Sequence, residues 1–312
     1  MQQRAFKQVD VFTATPYYGN PLAVVLDGTG LSDEQMQRFA RWTNLSETTF
    51  VLPPSDAGHQ AGADFRVRIF TPGAELPFAG HPTLGTCHAW LQAGGTPRNK
   101  GHIVQECGVG LVQIRAEGNR LAFAAPPLKR SAPDAAQLTQ ITQALGLKAP
   151  QIIAAQLLDN GPVWLGLLLE SVQTVLALEP DHLVLKNLGV KVGVVAVEAA
   201  APAPALIARS NREARAFGAA SAASNAVNVD EPTVEVRAFA APVGVTEDPV
   251  TGSLNASLAQ WLMAEGYTPT SYIASQGTCL DRAGRVHLVR DSSGQVWVGG
   301  DTVTCISGMV SL

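Results

Sequence analysis

A histidine stands at the start of a stretch that the sequence predicts to be a buried helix. His81 lies in the turn 79–81, directly before Pro82, and small or apolar residues follow almost without interruption to Leu91. Proline suits the first turn of a helix, where free backbone N–H groups and the helix dipole favour an anion. The sequence therefore predicts a histidine held at an anion-binding corner.

The same arrangement recurs in the second half of the chain. Residues 65–91 and 234–262 each consist of an alternating strand pattern, a polar turn and an apolar helix pattern that ends in Trp-Leu. In this match His81 is aligned with Asp248, and a proline follows each of them. We interpret the match as an internal duplication, with chance similarity of two apolar helices as the alternative. If the halves face each other, His81 and Asp248 meet in one cleft.

A third residue capable of proton chemistry is Glu47. It opens a predicted strand over 45–51, and the hydroxyl residues Ser46 and Thr48 flank it. A carboxylate beside an apolar strand can be a solvated strand end or a functional acid. The residues alone leave both interpretations open.

The composition restricts the class of protein. The chain has 312 residues, enough for two domains of about 150 residues each. With 46% hydrophobic residues, 15% charged residues and a formal net charge of -4, it suits a well-buried enzyme. This balance predicts no nucleic-acid partner, because no basic cluster is present. We expect neither a membrane span nor a signal peptide from the apolar runs, and we therefore predict a cytoplasmic protein.

Cysteine and histidine spacing gives no metal signature. The four cysteines form no C-x-x-C pair, and we predict buried structural thiols. The six histidines show no H-E-x-x-H spacing, so the sequence predicts no metal site. The cysteines are Cys87, Cys107, Cys279 and Cys305.

Hydrophobic periodicity predicts the elements that would position these residues. Ser32 and Gln35 form a capping box at the start of one helix, which Asn44 can end. Helices are also predicted over 135–145 and 179–188, and a surface loop over 198–205. The segments 206–209 and 218–229 lead into the second motif. The predicted strands cover 7–12, 22–26, 45–51, 65–70, 102–107, 109–115, 120–123, 151–157, 163–169, 192–197, 272–274, 285–290 and 295–299, and a strand pair covers 303–312.

These elements predict an α+β fold. Alternating strands dominate each half, and each half has one wholly apolar helix, so a curved, mostly antiparallel sheet should wrap around that helix. We expect two pseudo-symmetric domains, with a boundary where Ala-Pro-Pro breaks the chain at 125–127. The predicted domains are 1–127 plus 300–312, and 128–299. No G-x-G-x-x-G follows a strand, so a dinucleotide-binding fold is not expected.

Four sequence blocks together resemble the phenazine-biosynthesis F (PhzF-like) family, whose fold is that of diaminopimelate epimerase. They lie in the order that the family has, and they span both halves of the chain. The resemblance implies a homodimer and a cofactor-independent isomerase. The blocks are VDVFTATPYYGNPLAVV (9–25), NLSETTFV (44–51), FTPGAELPFAGHPTLG (70–85) and RAFAAPVGVTEDPVTGSLNASLAQWL (237–262).

The resemblance assigns roles to the candidate residues. In PhzF-like isomerases a glutamate of the matching strand takes a proton from one carbon and returns it to another, which implies that Glu47 is the catalytic acid/base. His81 and Asp248 are implied to hold the substrate's polar groups. Neither corner carries the cysteine that diaminopimelate epimerases use there, so the two-thiol mechanism is not expected.

The remaining candidate positions are implied to bind substrate. Gly80, Gly252 and Ser253 would offer donors at the two helix N-termini, although Ser253 could equally be a plain helix cap. Asn20, in the Gly-Asn-Pro turn, could face the cleft. No cofactor is implied.

Three functions from different classes remain open on the sequence. The first is an isomerase that moves a proton between carbons of a small carboxylate-bearing substrate, which the sequence does not identify. The second is a non-catalytic binding protein that has kept the cleft. The third is a hydrolase that uses Ser253 with His81 and Asp248, although no G-x-S-x-G elbow surrounds that serine.

Overall fold

The computed structural model describes residues 1–99, 101–118, 120–198 and 231–312. The strands are β1 Gln3–Val11, β2 Asn20–Val25, β3 Glu47–Leu52, β4 Phe65–Phe70, β5 Glu75–Leu76, β6 His102–Cys107, β7 Gly110–Glu117, β8 Arg120–Ala124, β9 Lys129–Ser131, β10 Ile152–Asp159, β11 Val163–Leu169, β12 Val192–Val197, β13 Val234–Ala240, β14 Val245–Asp248, β15 Ser271–Gln276, β16 Gly284–Arg290, β17 Val296–Gly300 and β18 Thr302–Ser311. The helices are α1 Asp33–Thr43, α2 Asp56–Gln60, α3 Gly80–Gln92, α4 Ala135–Ala144, α5 Val172–Leu176, α6 His182–Leu188 and α7 Gly252–Ala264.

The strand pairings follow the same order in the two halves of the molecule. In the first half the hydrogen-bonded order is β18-β1-β2-β3-β4-β6-β7-β8, and β5 pairs with β4. In the second half it is β9-β10-β11-β12-β13-β15-β16-β17, and β14 pairs with β13. The parallel pairs also correspond, since β2–β3 matches β11–β12 and β4–β6 matches β13–β15. This repeated topology supports the interpretation of an internal duplication.

The two sets of strands join through the antiparallel pair β8–β17. Its register runs from Leu121 opposite Gly300 to Ala124 opposite Trp297. The sheet is therefore continuous through the molecule. The α+β fold with curved, mostly antiparallel sheets is confirmed, whereas the division into domains 1–127 plus 300–312 and 128–299 stays a prediction.

The two apolar helices lie at the centres of the two sheets. Helix α3 contacts β1, β2, β3, β8 and β18, and α7 contacts β10, β16 and β17. Nine of the 13 residues of α3 and 11 of the 13 residues of α7 are buried. Small residues allow this close packing: a Cβ added at Gly85 would lie 2.6 Å from a methyl carbon of Leu22. The prediction of two buried central helices is confirmed.

Local capping signals in the sequence also match the structure. The Ser32 side chain accepts a hydrogen bond from the Gln35 amide at 3.3 Å, and the Gln35 side chain accepts from the Ser32 amide at 2.8 Å. Asn44 ends α1 in the left-handed conformation, with φ of 55°. The predicted capping box and helix end are therefore confirmed.

Several predictions outside the site need correction. The predicted strand pair over 303–312 is a single strand, β18, because its whole length pairs with β1. The predicted helix over 179–188 begins only at His182, and α5 precedes it without having been predicted. The loop 199–205 and the segments 206–209 and 218–229 lie outside the described residues.

The cysteine prediction holds only in part. Cys87 and Cys107 are buried, and Cys305 is half-buried. Cys279 is exposed, and its thiol approaches the carbonyl oxygen of Leu176 at 3.5 Å. The prediction of a buried thiol is therefore wrong for Cys279, which lies in a single-turn 3-10 helix, Thr278–Leu280, that has no buried residue.

Candidate active site

Glu47 begins β3 and lies almost entirely inside the protein. Its register partner on the parallel strand β2 is Leu22, and its side chain keeps 16% of its accessible surface. Burial disfavours the charged carboxylate, and the nearby Asp248 carboxylate adds repulsion. Together they raise the pKa of Glu47 to about 8. The carboxyl group can therefore gain or lose a proton near neutral pH.

His81 is the second residue of α3, and its ring faces Glu47. The side chain is 5% exposed, and its Nε2 atom lies 3.4 Å from Oε2 of Glu47. Burial lowers the pKa of His81 to about 3, so the ring is neutral at physiological pH. Neither Nε2 nor Oε2 has a hydrogen-bond partner in the described part of the chain. The hydrogen-bonding capacity of these two buried atoms is thus unused.

Asn20 determines which nitrogen of His81 carries the proton. The Nδ2 group of Asn20 donates to Oδ1 of Asp248 and to the carbonyl oxygen of Val250, both at 2.9 Å. These partners fix the orientation of the amide, so Nδ2 also faces Nδ1 of His81 at 3.4 Å. An amide N–H₂ group can only donate, and a second N–H directed at it would be repelled, so this contact favours the tautomer in which Nδ1 is unprotonated. The Nε2–H group of His81 therefore points towards Glu47.

Asn20 also connects the two halves of the molecule. It begins β2, is fully buried, and accepts a hydrogen bond from Ser46 at 3.2 Å through its Oδ1 atom. Its bonds to Asp248 and Val250 cross to the second half. The sequence-predicted residues Asn20, Glu47, His81 and Asp248 are thus brought together in one cluster.

Asp248 ends β14 with both carboxylate oxygens hydrogen-bonded. Its Oδ1 atom accepts from Asn20 at 2.9 Å, and its Oδ2 atom accepts from the Thr251 hydroxyl at 2.5 Å. Burial raises the pKa of Asp248 to about 6, while these two hydrogen bonds oppose the rise. At physiological pH Asp248 is an anchored carboxylate that can accept a hydrogen bond from a ligand.

Gln276 is a site residue that sequence reasoning missed. This fully buried side chain accepts from the Thr251 amide at 3.0 Å and from the Asn255 side chain at 2.8 Å. It donates to the Asp248 carbonyl oxygen at 2.9 Å and to the Thr251 hydroxyl at 3.0 Å. These four hydrogen bonds all go to the segment from Asp248 to the first turn of α7. The signal that could have found it is a glutamine in a strand that is buried at every residue from Tyr272 to Gln276.

The N-termini of α3 and α7 meet at a pair of glycines. A Cβ atom added at Gly80 would lie 2.9 Å from the Cα atom of Gly252, and one added at Gly252 would lie 2.9 Å from the Cα atom of Gly80. Any larger residue would force the helices apart. Two helix N-termini, each with unbonded first-turn N–H groups and a partial positive charge, therefore converge beside His81.

Ser253 does not cap α7. The N-cap residue is Thr251, and Ser253 is the second residue of the helix. Its Oγ atom accepts from the Trp164 indole at 3.2 Å, and its carbonyl oxygen accepts from Asn160 at 3.0 Å. The hydroxyl proton is therefore free to be donated elsewhere. Trp164 and Asn160 were not identified from the sequence.

The structure corrects the alignment of the two corners. Gly80 and Gly252 both begin their helices, so His81 corresponds to Ser253 and not to Asp248. The two segments then align residue by residue without a gap. In this alignment Glu75-Leu76-Pro77-Phe78-Ala79-Gly80-His81 corresponds to Glu247-Asp248-Pro249-Val250-Thr251-Gly252-Ser253. The equivalence of His81 and Asp248 was wrong because it relied on the proline that follows each of them.

Two surface crevices lie away from this cluster. One, of about 540 Å³, lies beside Tyr18, Arg285 and Asp301, and the other, of about 490 Å³, beside Arg66 and Cys107. Neither is lined by Glu47, His81 or Asp248. In the described ranges no group of three His, Cys, Asp or Glu side chains could hold a metal ion.

Residues 9–308 match the family model described as phenazine biosynthesis-like protein. The chain belongs to this family. It is 35% identical to antisense-enhancing sequence 1 of Schizosaccharomyces pombe, over 99% of both chains. It is 40% identical to trans-2,3-dihydro-3-hydroxyanthranilate isomerase of Pseudomonas aeruginosa, over 56% of this chain and 60% of that enzyme. The family and its named enzyme place the chain in the isomerase class, as the sequence predicted.

Solved structures show the same fold. A PhzF-family protein of Bacillus anthracis superposes with a TM-score of 0.77 at 22% identity, and all of both chains is covered. A hydroxyproline epimerase of Agrobacterium vitis superposes with a TM-score of 0.54 at 14% identity, over 99% of this chain and 93% of that one. The diaminopimelate epimerase-like fold is confirmed.

Proposed function

We propose that the protein is a cofactor-independent isomerase in which Glu47 alone moves a proton between two carbons of a small carboxylate-bearing substrate. The observation that carries this proposal is the environment of Glu47. Its carboxyl group is buried beside the neutral His81, and its pKa is raised towards neutrality. A base that must both accept and return a proton works best when its pKa lies near the working pH.

The reaction would begin with ionised Glu47. The carboxylate takes a proton from a substrate carbon, and the electron pair of the broken C–H bond moves into the substrate's double-bond system. The resulting carboxylic acid then protonates a second carbon, which shifts the double bond and restores the carboxylate. No electrons are gained or lost overall, so the step needs no redox cofactor.

The neighbouring groups would hold the substrate and stabilise its developing charge. First-turn N–H groups of α3 and α7 converge beside the site and suit a substrate carboxylate. The Nε2–H group of His81 and the Ser253 hydroxyl are further donors. Asp248 can accept from a substrate amine or hydroxyl. A small molecule with one carboxylate and one hydrogen-bond donor matches these groups.

The geometry gives no support to a hydrolase that uses Ser253. Its hydroxyl oxygen accepts from Trp164, and no hydrogen bond between Ser253 and His81 is found in the described residues. A serine nucleophile needs a base within hydrogen-bond reach.

The relatives suggest a probe for the test. Trans-2,3-dihydro-3-hydroxyanthranilate, which the Pseudomonas aeruginosa relative's name states as its substrate, carries a carboxylate, an amine and a hydroxyl. We expect the wild-type protein to isomerise this probe. In D₂O, some of the abstracted proton should return to the product, because a single base carries it. Glu47→Gln should abolish turnover while the Kd of the probe changes by less than about tenfold, since the amide keeps the shape but cannot cycle a proton.

Glu235→Gln is the matched control. Glu235 is also a buried carboxylate with a pKa raised by burial, but it lies outside the cluster and accepts a hydrogen bond from the Thr278 hydroxyl at 2.8 Å. This variant should keep turnover within about threefold of wild type. Full activity of Glu47→Gln would refute the role of Glu47. Probe binding without turnover by the wild type would favour the binding-protein alternative.

We further propose that the protein acts in the cytoplasm as a homodimer, on the basis of its family. No helix in the described part of the chain has the length and apolarity to cross a membrane. Size-exclusion chromatography with light scattering tests the dimer, and a monomer at micromolar concentration would contradict it.

A further inference from the structure

The residue before Asp248 forms a buried ion pair. Glu247 accepts two hydrogen bonds from Arg237, Nε to Oε1 at 2.9 Å and Nη2 to Oε2 at 2.8 Å. The two side chains are only 6% and 7% exposed. Such a bidentate bond restricts both the distance and the orientation of the carboxylate.

The guanidinium group is itself held in place. Nη1 of Arg237 donates to the carbonyl oxygens of Val175 and Leu178, at 3.1 Å and 2.8 Å, at the C-terminal end of α5. Its plane also lies over the ring of Phe239, with 5.0 Å between the guanidinium carbon and the ring centroid. Arg237 therefore presents a rigid anchor to Glu247.

Strand β14 has little backbone support of its own. It has four residues, and its ladder with β13 consists of Ala238 opposite Asp248 and Ala240 opposite Val245, with an irregularity between them. Successive side chains of a strand point to opposite faces. A fixed Glu247 side chain on one face therefore determines how Asp248 projects from the other face.

We propose that the Arg237–Glu247 ion pair is a positioning device for the substrate-binding carboxylate, because it fixes β14 in the one placement that directs Asp248 to Asn20 and Thr251. This inference rests on the proposed function of Asp248. Arg237 and Glu247 are positioning residues, since they act through Asp248 and are not themselves proposed to touch the substrate.

The first half of the molecule contains an equivalent arginine–glutamate pair, but no substrate-binding carboxylate follows it. Arg68 binds Glu75 through Nε at 2.7 Å and Nη2 at 2.6 Å, and its guanidinium carbon lies 5.1 Å from the Phe70 ring centroid. This pair is 23% and 41% exposed. The residue after Glu75 is the apolar Leu76, where the second half has Asp248. The Arg68–Glu75 pair is therefore an internal control.

The test compares two double variants. Arg237→Met with Glu247→Leu removes the buried pair, and Arg68→Met with Glu75→Leu removes the exposed one. We expect both proteins to fold, because apolar side chains of similar volume often replace a buried ion pair without loss of stability. With trans-2,3-dihydro-3-hydroxyanthranilate as probe, KM should rise about tenfold or more for the first variant, with a smaller fall in kcat. For the second variant both constants should stay within about twofold.

A crystal structure of the first double variant gives a readout that needs no substrate. The distance from Asp248 Oδ1 to Asn20 Nδ2, 2.9 Å in the wild type, should exceed a hydrogen bond of about 3.2 Å. A carboxylate that stays within hydrogen-bond distance of Asn20 would overturn the proposal whatever the kinetics. Because this readout is independent of turnover, it separates failure of the positioning role from failure of the proposed isomerase.

A single variant covers the case in which the double variant does not fold. Glu247→Gln keeps the side-chain shape but turns one of its two acceptors into an N–H₂ group that faces Nη2 of Arg237. We expect KM for the same probe to rise severalfold, whereas Glu75→Gln leaves it unchanged. Equal KM values for Glu247→Gln and the wild type would also overturn the proposal.

Discussion

The two halves of the molecule share one backbone framework but differ at every position that carries a site side chain. Their strand orders correspond, and each half places an arginine–glutamate pair before a glycine that begins a buried helix. On this framework the second half has a carboxylate, Asp248, where the first half has Leu76. The first half has His81 where the second half has Ser253.

The strand starts show the same asymmetry. Glu47 begins β3 opposite Leu22, and Val192 begins β12 opposite Leu165. The base of the site thus has an apolar counterpart in the second half. The comparison teaches that both halves have the same backbone geometry, whereas the proposed chemistry depends on residues that only one half has.

Among the variants that compare the two corners, the largest expected effect comes from replacing Asp248 by the residue that the first corner has. Asp248→Leu removes the acceptor of the Asn20 amide and the Thr251 hydroxyl, and it removes the acceptor proposed for the substrate. Hydrogen bonds to a charged group contribute about 1.5–3 kcal/mol each, so kcat/KM for trans-2,3-dihydro-3-hydroxyanthranilate should fall about a thousandfold. Leu76→Met, at the matching position, should change it less than about twofold. A loss below about tenfold for Asp248→Leu would contradict the asymmetry.

The next effect is the pH dependence of the free energy of unfolding, which tests the ionisation of Glu47 alone. Because the folded-state pKa of Glu47, about 8, lies above its ordinary value of 4.5, its contribution to stability is complete at low pH and is lost as pH rises towards 8. Above pH 6 the similar contribution of Asp248 has already been lost. Between pH 6 and 7, the free energy of unfolding of the wild type should therefore fall relative to Glu47→Gln by about 1.3 kcal/mol, and the fall should level off above pH 8. Denaturant titrations measure this difference, and parallel curves would refute the raised pKa.

A smaller effect compares the buried glutamines that face the two helices. Gln276 accepts from Thr251 and Asn255, whereas Gln105 donates one bond of 3.0 Å to the Thr83 hydroxyl. Gln276→Leu leaves buried donors without an acceptor and should cost about 2 kcal/mol of unfolding free energy, against about 1 kcal/mol for Gln105→Leu. Chemical denaturation gives both values. Equal costs would mean that the second corner is no more firmly anchored than the first.

The smallest effect concerns the counterpart of His81. Ser253→Ala removes one of several proposed donors to the substrate and should raise KM for the same probe about threefold, with kcat almost unchanged. Trp164→Phe, which removes the indole donor to Ser253 together with part of a buried ring, should change KM less. A loss of kcat as large as that in Glu47→Gln would indicate that Ser253 takes part in the chemistry.

Much of the fold follows from local sequence signals. The alternation of Phe65, Val67 and Ile69 predicted β4, and the capping box at Ser32 predicted the start of α1. These signals are reliable because each depends only on neighbouring residues. The run 303–312 was predicted as two strands because a residue pattern does not reveal that the distant β1 pairs with its whole length.

The main residues of the site could be predicted from the sequence, but the strands and hydrogen bonds that position them could not. Glu47, His81 and Asp248 come together as expected, and the family resemblance supplied Glu47. The short strands β5 and β14 were not predicted, since two and four residues are too few to show a period. Without them the glutamates that precede Leu76 and Asp248 could not be matched. Gln276 was missed for a related reason, because its partners lie more than twenty residues away.

Because Gly80 and Gly252 are in contact, the effect of a substitution at one of them depends on the residue at the other. Each position is restricted to glycine by the backbone of the other, since an added Cβ at either would lie 2.9 Å from the opposite Cα. A first substitution must push the helices apart, and once the gap exists a second substitution meets less resistance. The free-energy costs of Gly80→Ala and Gly252→Ala should therefore not add. The two helix starts therefore respond to substitution as one unit, although they lie more than 150 residues apart in the sequence.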